Sequence, residues 1–375
     1  MRRGNPTNRL LDKYLGIPAL NFLASFRLRR SLPLSIRRIG VLCSPALGDT
    51  LLFSGPLQDL HAAFPSAHIT HICMKQNLAA AEIIPGADDR LLISLTRPLE
   101  TVRTLQAQHF DLVLDFSAWQ RLTAAYTLLS GARYTIGFRS AGQYRSRAFD
   151  FAVVHSRELH ELENFRKLLH DSNLVAGRPH EPAVVVPDIA TEPFADETDL
   201  IVFHPWASGQ RSELREWPTA NWVALAKRLA NSNTRFLITG APSDNPRITP
   251  LVSALHSAGL RASGFVSPDG FLSLTHLLHR VALVVSVNTG VMHLAAIAGA
   301  PTVSLNGPTS ERRWGARGRC VANIQPPDGS GGYLHFGYEF ANQPDDIMQR
   351  ITVDQVAEAA TQLITRCGAP RGATS

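Results

Sequence analysis

Short apolar runs recur along most of this chain, each separated from the next by a stretch long enough for a helix. Residues 39–43, 68–74, 91–95, 111–116 and 134–138 are rich in branched and aromatic side chains and read as buried strands. Segments 55–64, 99–108 and 119–129 carry helical spacing between them. A second series begins near Asp199. It has strands at 200–204, 235–239, 283–287 and 302–306, and helices at 219–230, 271–280 and 292–298. A last helix, 353–365, has no assigned partner. Strands alternating with helices predict an α/β chain of mostly parallel sheets covered on both faces.

Between the two series, Pro182, Pro187 and Pro193 precede an acidic stretch, which marks a linker around 187–198. The expected organisation is a basic N-terminal segment, 1–35, then a domain over 36–190 and a second over 191–375. Two open sheets facing one another would present their carboxyl edges to a cleft.

Composition alters this picture in one place. The chain of 375 residues has a net charge of +6, yet residues 1–38 hold nine arginines and lysines against Asp12 alone, a local +8. The remainder is therefore slightly acidic, which speaks against a general nucleic-acid surface. The apolar stretch 15–26 is interrupted by Pro18 and Asn21 and is shorter than the roughly 20 residues of a spanning helix. Two readings stand for it: a segment lying on an anionic membrane surface, or a basic helix packed on the first domain. The four cysteines, Cys43, Cys73, Cys320 and Cys367, form no Cys-x-x-Cys pair. They predict buried reduced thiols and no metal site.

Candidate chemistry sits where strands end. After the first strand, "SPALGDTLLFSGPL" places Gly48 in a predicted turn and Asp49 at a helix start, either as cap or as catalytic carboxylate. Pro56 begins the regular helix or kinks its first turn. The stretch lacks both Gly-x-Gly-x-x-Gly and Gly-Lys-Ser/Thr, which disfavours a nicotinamide enzyme. Phosphate binding, if present, must then use another helix end. Asn288, Thr289 and Gly290 lie between a strand and a helix, where free N–H groups suit a diphosphate, and His293 follows one turn later. Gly307 closes the next strand. Arg215, in "SELREWPTANW", suits phosphate oxygens, and Asp244, in "ITGAPSD", suits ribose hydroxyls or a helix start.

In order along the chain, "SPALGDTLLFSGPLQDLHAAFPSAHI", "REWPTANWVALAKRL", "ITGAPSD" and "VNTGVMHLAAIAGAPTVSLNGPT" resemble the motifs of the family 9 glycosyltransferases, the lipopolysaccharide heptosyltransferase group. The resemblance spans about 38–318. It implies a GT-B fold of two Rossmann-like domains and metal-independent, inverting transfer from ADP-heptose, with no cofactor. It also implies that Asp49 is the catalytic carboxylate. The chain departs from the family at three positions. Asn288 stands where an acidic residue is usual, Arg215 where lysine is usual, and Trp206 where glycine is common.

These observations lead to an inverting glycosyltransferase with a nucleotide-sugar donor and a lipid-linked saccharide acceptor, peripheral on the cytoplasmic face of a bacterial inner membrane. The rival is a catalytically silent nucleotide-sugar or glycan-binding protein, which Asn288 motivates and Asp49 opposes. The Gly-rich segment 325–340 reads as a surface loop, a lid or a lipid-contacting element.

Overall fold

The computed structural model describes residues 14–367 except 15, 29, 44, 45, 190–193, 195, 196, 198, 210, 337, 338, 341 and 342. The described residues fall into two compact units, with the break between Ala183 and Val184.

The first unit is built on β1 (Arg38–Leu42), β2 (His68–Met74), β3 (Asp89–Ile93), β4 (Leu112–Asp115), β5 (Tyr134–Arg139) and β6 (Phe151–Val154). They lie in the order β3-β2-β1-β4-β5-β6, and every pairing is parallel. The central strands are buried almost throughout, as expected of a sheet covered on both faces. Leu42, Ile72, Phe110, Val113 and Tyr126 form one core cluster. Phe53, Phe116 and Phe165 form a second, aromatic one, with ring centroids 4.6 to 6.2 Å apart. β6 escapes the sequence pattern because it is a four-residue edge strand with exposed ends.

The helix after β1 differs most from expectation. It runs Leu47–Ala63, so its first two turns replace the predicted turn, and Pro56 lies in mid-helix. Buried Asn77 accounts for the early start: it accepts from Met74 N at 2.8 Å and donates to Thr50 Oγ1 at 2.9 Å. The end of β2 thus holds the first helical turn. Proline withholds an N–H from the helical ladder, and Ser54 Oγ donates to Leu51 O at 2.6 Å just before it.

The N-terminal helix Ile17–Ser25 packs on the first unit, with Leu20 buried against Ala124, Ala148 and Phe149. Arg27 forms a buried ion pair with Asp150 and donates to Thr135 Oγ1 at 2.7 Å. The packed-helix reading holds for Ile17–Ser25, residues 1–13 of the segment lying outside the described residues, and among the described residues another side of this helix is uncovered. Phe22 and Phe26 meet edge to face at 5.0 Å and stay 66% and 74% exposed. Among the described residues, no helix is long and apolar enough to cross a membrane.

The second unit contains β7 (Leu200–His204), β8 (Arg235–Thr239), β9 (Ala262–Phe265), β10 (Leu283–Val287), β11 (Thr302–Leu305) and β12 (Val321–Ile324). Their order is β12-β11-β10-β7-β8-β9, again all parallel. The final helix, Val353–Cys367, packs on this unit, burying Val356, Ala360 and Leu363 in the same core as Phe203, Trp222 and Leu305. Its end corrects the cysteine expectation. Cys320 and Cys367 form a disulfide, with Cα atoms 6.4 Å apart, and only Cys43 and Cys73 remain as buried thiols. The spacing motifs that mark metal or redox cysteines could not reveal a pair 47 residues apart.

Candidate active site

The sheet orders fix where each site must lie. In the first unit the chain winds outward from β1 through β2 to β3, then returns to β4 on β1's other side. β7 and β10 repeat this arrangement in the second unit. Open α/β sheets bind ligands outside the carboxyl ends of the strands at such switch points.

At the β1–β4 switch point, Asp49 is the third residue of the Leu47–Ala63 helix and is 7% exposed. Ala46 occupies the cap position with extended backbone, so Asp49 is not the N-cap. Gly48 lies inside the helix and is no turn glycine. A carboxylate in the first turn interacts favourably with the helix dipole. Phe53, one turn on, lies on the same helical face and packs on Phe116, just past the end of β4.

The loop after β4 carries residues that periodicity had hidden. Asp115 and Arg145 form a fully buried ion pair at 2.5 Å. Asp115 also accepts from Ser117 N at 2.8 Å and Thr123 Oγ1 at 3.0 Å. Arg145 donates to Gln120 O at 2.9 Å and to Ser117 O, and so clamps the loop by its main chain. Burial pushes the Asp115 carboxyl upward while the Arg145 charge opposes it. A "DFS" at a strand end gives no hint of this, because the partner arginine is 30 residues away.

At the β7–β10 switch point, Thr289 is the N-cap of helix Gly290–Ile297, with extended backbone. Its Oγ1 is buried and has no hydrogen-bond partner among the described residues. Gly290 opens the helix, whose first N–H groups have no intrahelical acceptor. His293, one turn in, is buried. These three residues therefore share one helix start.

Asn288 points elsewhere. Its Nδ2 donates to Asn306 Oδ1 at 2.7 Å and to Trp314 O at 2.8 Å. Asn306 in turn donates to Ser304 O at 3.2 Å and to Asn323 Oδ1 at 3.4 Å. Asn323 bonds both the N–H and the carbonyl of Ala316. Asn288, expected at the diphosphate, is instead part of an amide ladder joining the ends of β10, β11 and β12.

The remaining candidates are also at carboxyl ends of strands, on separate loops. Arg215 ends a 3-10 turn, Ser212–Arg215, after β7 and donates to Ser208 O. Asp244 precedes helix Asn245–Ser257 after β8, and one of its oxygens accepts from Ala241 N at 2.8 Å. Gly307 has φ +46°, a backbone conformation that favours glycine, and a Cβ there would lie 2.1 Å from Met348 Sδ, so the methionine would have to move. His204 at the end of β7 bonds Thr239 Oγ1 at 3.0 Å, and burial pushes its imidazole down to about 4. Trp206 is buried in the core under the Arg247 guanidinium, which lies 5.1 Å from its ring and pairs with Glu216. A Cβ on Gly240 would approach Asp244 Cβ to 2.9 Å and the Trp206 ring to 3.2 Å. Trp206 thus fills space beside Asp244 in the β7–β8 crevice.

The 325–340 segment is stitched to this unit. Leu334 is buried and its N–H donates to Pro308 O at 2.7 Å, Ser310 N donates to Leu334 O at 3.0 Å, and Trp314 Nε1 donates to His335 O at 2.8 Å.

Comparison with known proteins gives concordant results. The family described as glycosyltransferase family 9 (heptosyltransferase) matches residues 99–327, more than half of the chain. Lipopolysaccharide heptosyltransferase 1 of Escherichia coli K12 is 24% identical over 300 residues, covering 75% of this chain and 91% of that protein. Among solved structures, a family 9 glycosyltransferase from Veillonella parvula superposes with a TM-score of 0.76 at 17% identity, covering 90% of this chain and all of that one. E. coli ADP-heptose LPS heptosyltransferase II superposes with a TM-score of 0.71 at 18% identity, covering 88% of this chain and 100% of that chain. The two parallel sheets are the GT-B pair of these enzymes.

Proposed function

The chain belongs to glycosyltransferase family 9, the heptosyltransferases, and on that premise we propose that it transfers a heptose from ADP-heptose to a lipopolysaccharide core or related lipid-linked glycan, with inversion at the anomeric carbon and without a metal. One observation in each unit supports this reading. Buried Asp49 stands at one, and the Thr289–Gly290 helix start, with its unpartnered hydroxyl, stands at the other.

In this reading the second unit holds the donor. The diphosphate meets the helix start at Thr289 and Gly290, with Arg215 supplying further positive charge and Asp244 a ribose contact. His293 and Gly307 line the same carboxyl edge. Asn288 acts indirectly, because its amide holds the ladder behind that helix. The acceptor hydroxyl attacks the anomeric carbon from the face opposite ADP. Its proton passes to the Asp49 carboxylate as the new C–O bond forms, and the electrons of the breaking C–O bond leave on the diphosphate. The helix dipole and Arg215 offset that charge. The silent-binder reading loses its motive, since an amide at Asn288 has a structural role of its own.

The same reading puts the protein on the cytoplasmic face of a bacterial inner membrane. Exposed Phe22, Phe26, Leu28 and Leu34, set within the arginine-rich first 38 residues, support contact with an anionic bilayer surface.

Incubation with ADP-heptose and a lipopolysaccharide whose core lacks heptose tests the reaction. ADP release matched by heptose in the product, with the opposite anomeric configuration, is expected. Binding of ADP-heptose without transfer would make this chain a binding protein.

A further inference from the structure

The donor reading needs Arg215 and the Thr289 helix start to meet one diphosphate, yet the two stand on different loops, after β7 and after β10. We propose that Arg211 is a positioning residue for the donor: latched to Phe340 and Asp345, it sets the loop that carries Arg215. The proposal rests on the transferase reading above and names what that reading leaves open, the device that brings Arg215 to its place.

The chain leaving β12 supplies the fixed side of the latch. The strand order β12-β11-β10-β7 puts β11 and β10 between β12 and β7 along the carboxyl edge. After β12, Gly332 N donates to Gly307 O at 3.0 Å and Leu334 N to Pro308 O at 2.7 Å, beside the end of β11. Trp314 Nε1 donates to His335 O, and the Trp314 carbonyl accepts from Asn288 at the end of β10. Farther on, Phe340 and Asp345 meet Arg211 in the loop after β7. The Ile351 carbonyl then accepts from Trp217 Nε1 at 2.9 Å, just past the Arg215 turn. Residues following β12 thus reach the loop after β11, the end of β10 through Trp314, and the loop after β7 in turn. They form a strap across the donor edge.

Arg211 is where this strap takes hold of the Arg215 loop. It precedes the 3-10 turn Ser212–Arg215, with left-handed backbone at φ 50° and ψ 40°. A residue other than glycine rarely rests there, and such a conformation persists where its surroundings fix it. Its Nη2 donates to Asp345 Oδ1 at 3.0 Å, and its guanidinium lies 5.2 Å from the centroid of the buried Phe340 ring. Tyr333, from the strap, is within electrostatic reach of both Arg211 and Asp345. The ion pair alone is a weak fastening, since its side chains are 38% and 70% exposed. Contact with a fixed aromatic face strengthens it and orients the guanidinium. With the latch open, the Arg215 loop has more than one placement. Apparent donor affinity then falls with the fraction of molecules in the competent placement, and saturating donor restores it. Arg211 therefore acts on donor binding and not on the chemical step.

Titration calorimetry with ADP tests the latch, and steady-state transfer from ADP-heptose is measured in parallel. Arg211→Ala should weaken ADP binding, and raise donor KM, by about three- to tenfold. Its kcat at saturating donor should stay within about twofold of wild type, with acceptor KM unchanged. Arg211→Lys, which keeps a cation for Asp345 and Phe340, should recover part of the loss. Asp345→Asn should cost less, and nothing further when Arg211 is already alanine, because both belong to one latch. Arg211→Ala should likewise add nothing to Arg215→Ala, since it acts through that side chain. Thermal melting confirms that each variant is folded, and Asp345→Asn, at an exposed site, provides a test should Arg211→Ala not fold. Wild-type ADP affinity in both Arg211→Ala and Asp345→Asn overturns the proposal, as does a loss fully additive with that of Arg215→Ala or one that falls on kcat alone. A wild-type protein that does not bind ADP overturns both this proposal and the transferase reading. Failure of transfer while ADP binding still depends on Arg211 counts against the transferase reading alone.

Discussion

The side-chain amide of Asn288 donates at once to Asn306 Oδ1 and to the main-chain oxygen of Trp314, at 2.7 and 2.8 Å. Asp at this position can donate neither bond. Rotation of the Asn306 amide would restore the first, but the Trp314 carbonyl would face a carboxylate. Asn288→Asp should therefore destabilise the second unit by about 1–3 kcal/mol, with altered donor affinity a secondary effect. Because the introduced carboxyl is better accommodated when protonated, the deficit should shrink as pH falls. Denaturant melts at pH 5 and pH 8 measure both effects, and a variant as stable as wild type would show that the ladder is dispensable.

Asp49→Asn keeps the size of the side chain and removes its ability to take a proton. Turnover should fall about a hundredfold or more. Affinity for ADP should be retained, since the proposed donor site lies in the second unit. Near-normal turnover would reduce Asp49 to a first-turn carboxylate and leave the base to be sought elsewhere.

His71 in the first unit and His204 in the second make folding acid-sensitive. His71, fully buried with Arg90 nearby, and His204, with Asp244 pulling weakly the other way, are both pushed down to about 4 by burial. Each contributes stability that is fully present above the unfolded value near 6.5. It is lost as pH falls toward the folded value, at about 1.4 kcal/mol per pH unit per residue. His71→Leu should flatten the stability profile of the first unit between pH 6.5 and 4. Parallel profiles for wild type and variant would exclude His71 as the cause.

The N-terminal helix separates anchoring from contact. Leu20 and Arg27 fasten it to the first unit, whereas Phe22 and Phe26 face outward. Deleting residues 1–35 would strip Asp150 of its buried partner and confuse unfolding with loss of binding. Phe22→Ser combined with Phe26→Ser avoids this. The double variant should keep the wild-type melting temperature and bind anionic vesicles several-fold more weakly, with the remaining binding removed by salt. Equal vesicle binding by variant and wild type would rule the exposed pair out as a membrane contact.

The alternation of apolar runs and the switch-point logic were legible because buried parallel strands are nearly continuous apolar segments. The second-unit strands at Leu200–His204, Arg235–Thr239 and Leu283–Val287 fall where that pattern puts them. Short edge strands were not legible: β6, β9 and β12 have four residues each, with partly exposed side chains. The Leu47–Ala63 helix was misread at its start because Gly-Asp and a later proline mimic a turn, and the fastening through Asn77 is a tertiary fact. Asp49 and Thr289 were visible as polar residues following strands. Asp115, Arg145 and the Asn288–Asn306–Asn323 ladder were not, since each depends on partners that only the fold brings together.

The Cys320–Cys367 bridge turns the last part of the chain into a covalent ring. The ring contains β12, the Gly-rich segment and the whole terminal helix. A protease that cuts once between residues 321 and 366 opens this ring without dividing the molecule, so the cut protein should migrate with the intact chain until a reductant is added. Reduction then releases a C-terminal fragment, which after a cut ahead of Val353 carries the helix residues Val356, Ala360 and Leu363 that close the second core. Electrophoresis of clipped protein with and without dithiothreitol separates a ring from an open chain, and release without reductant would show that the two cysteines are not joined.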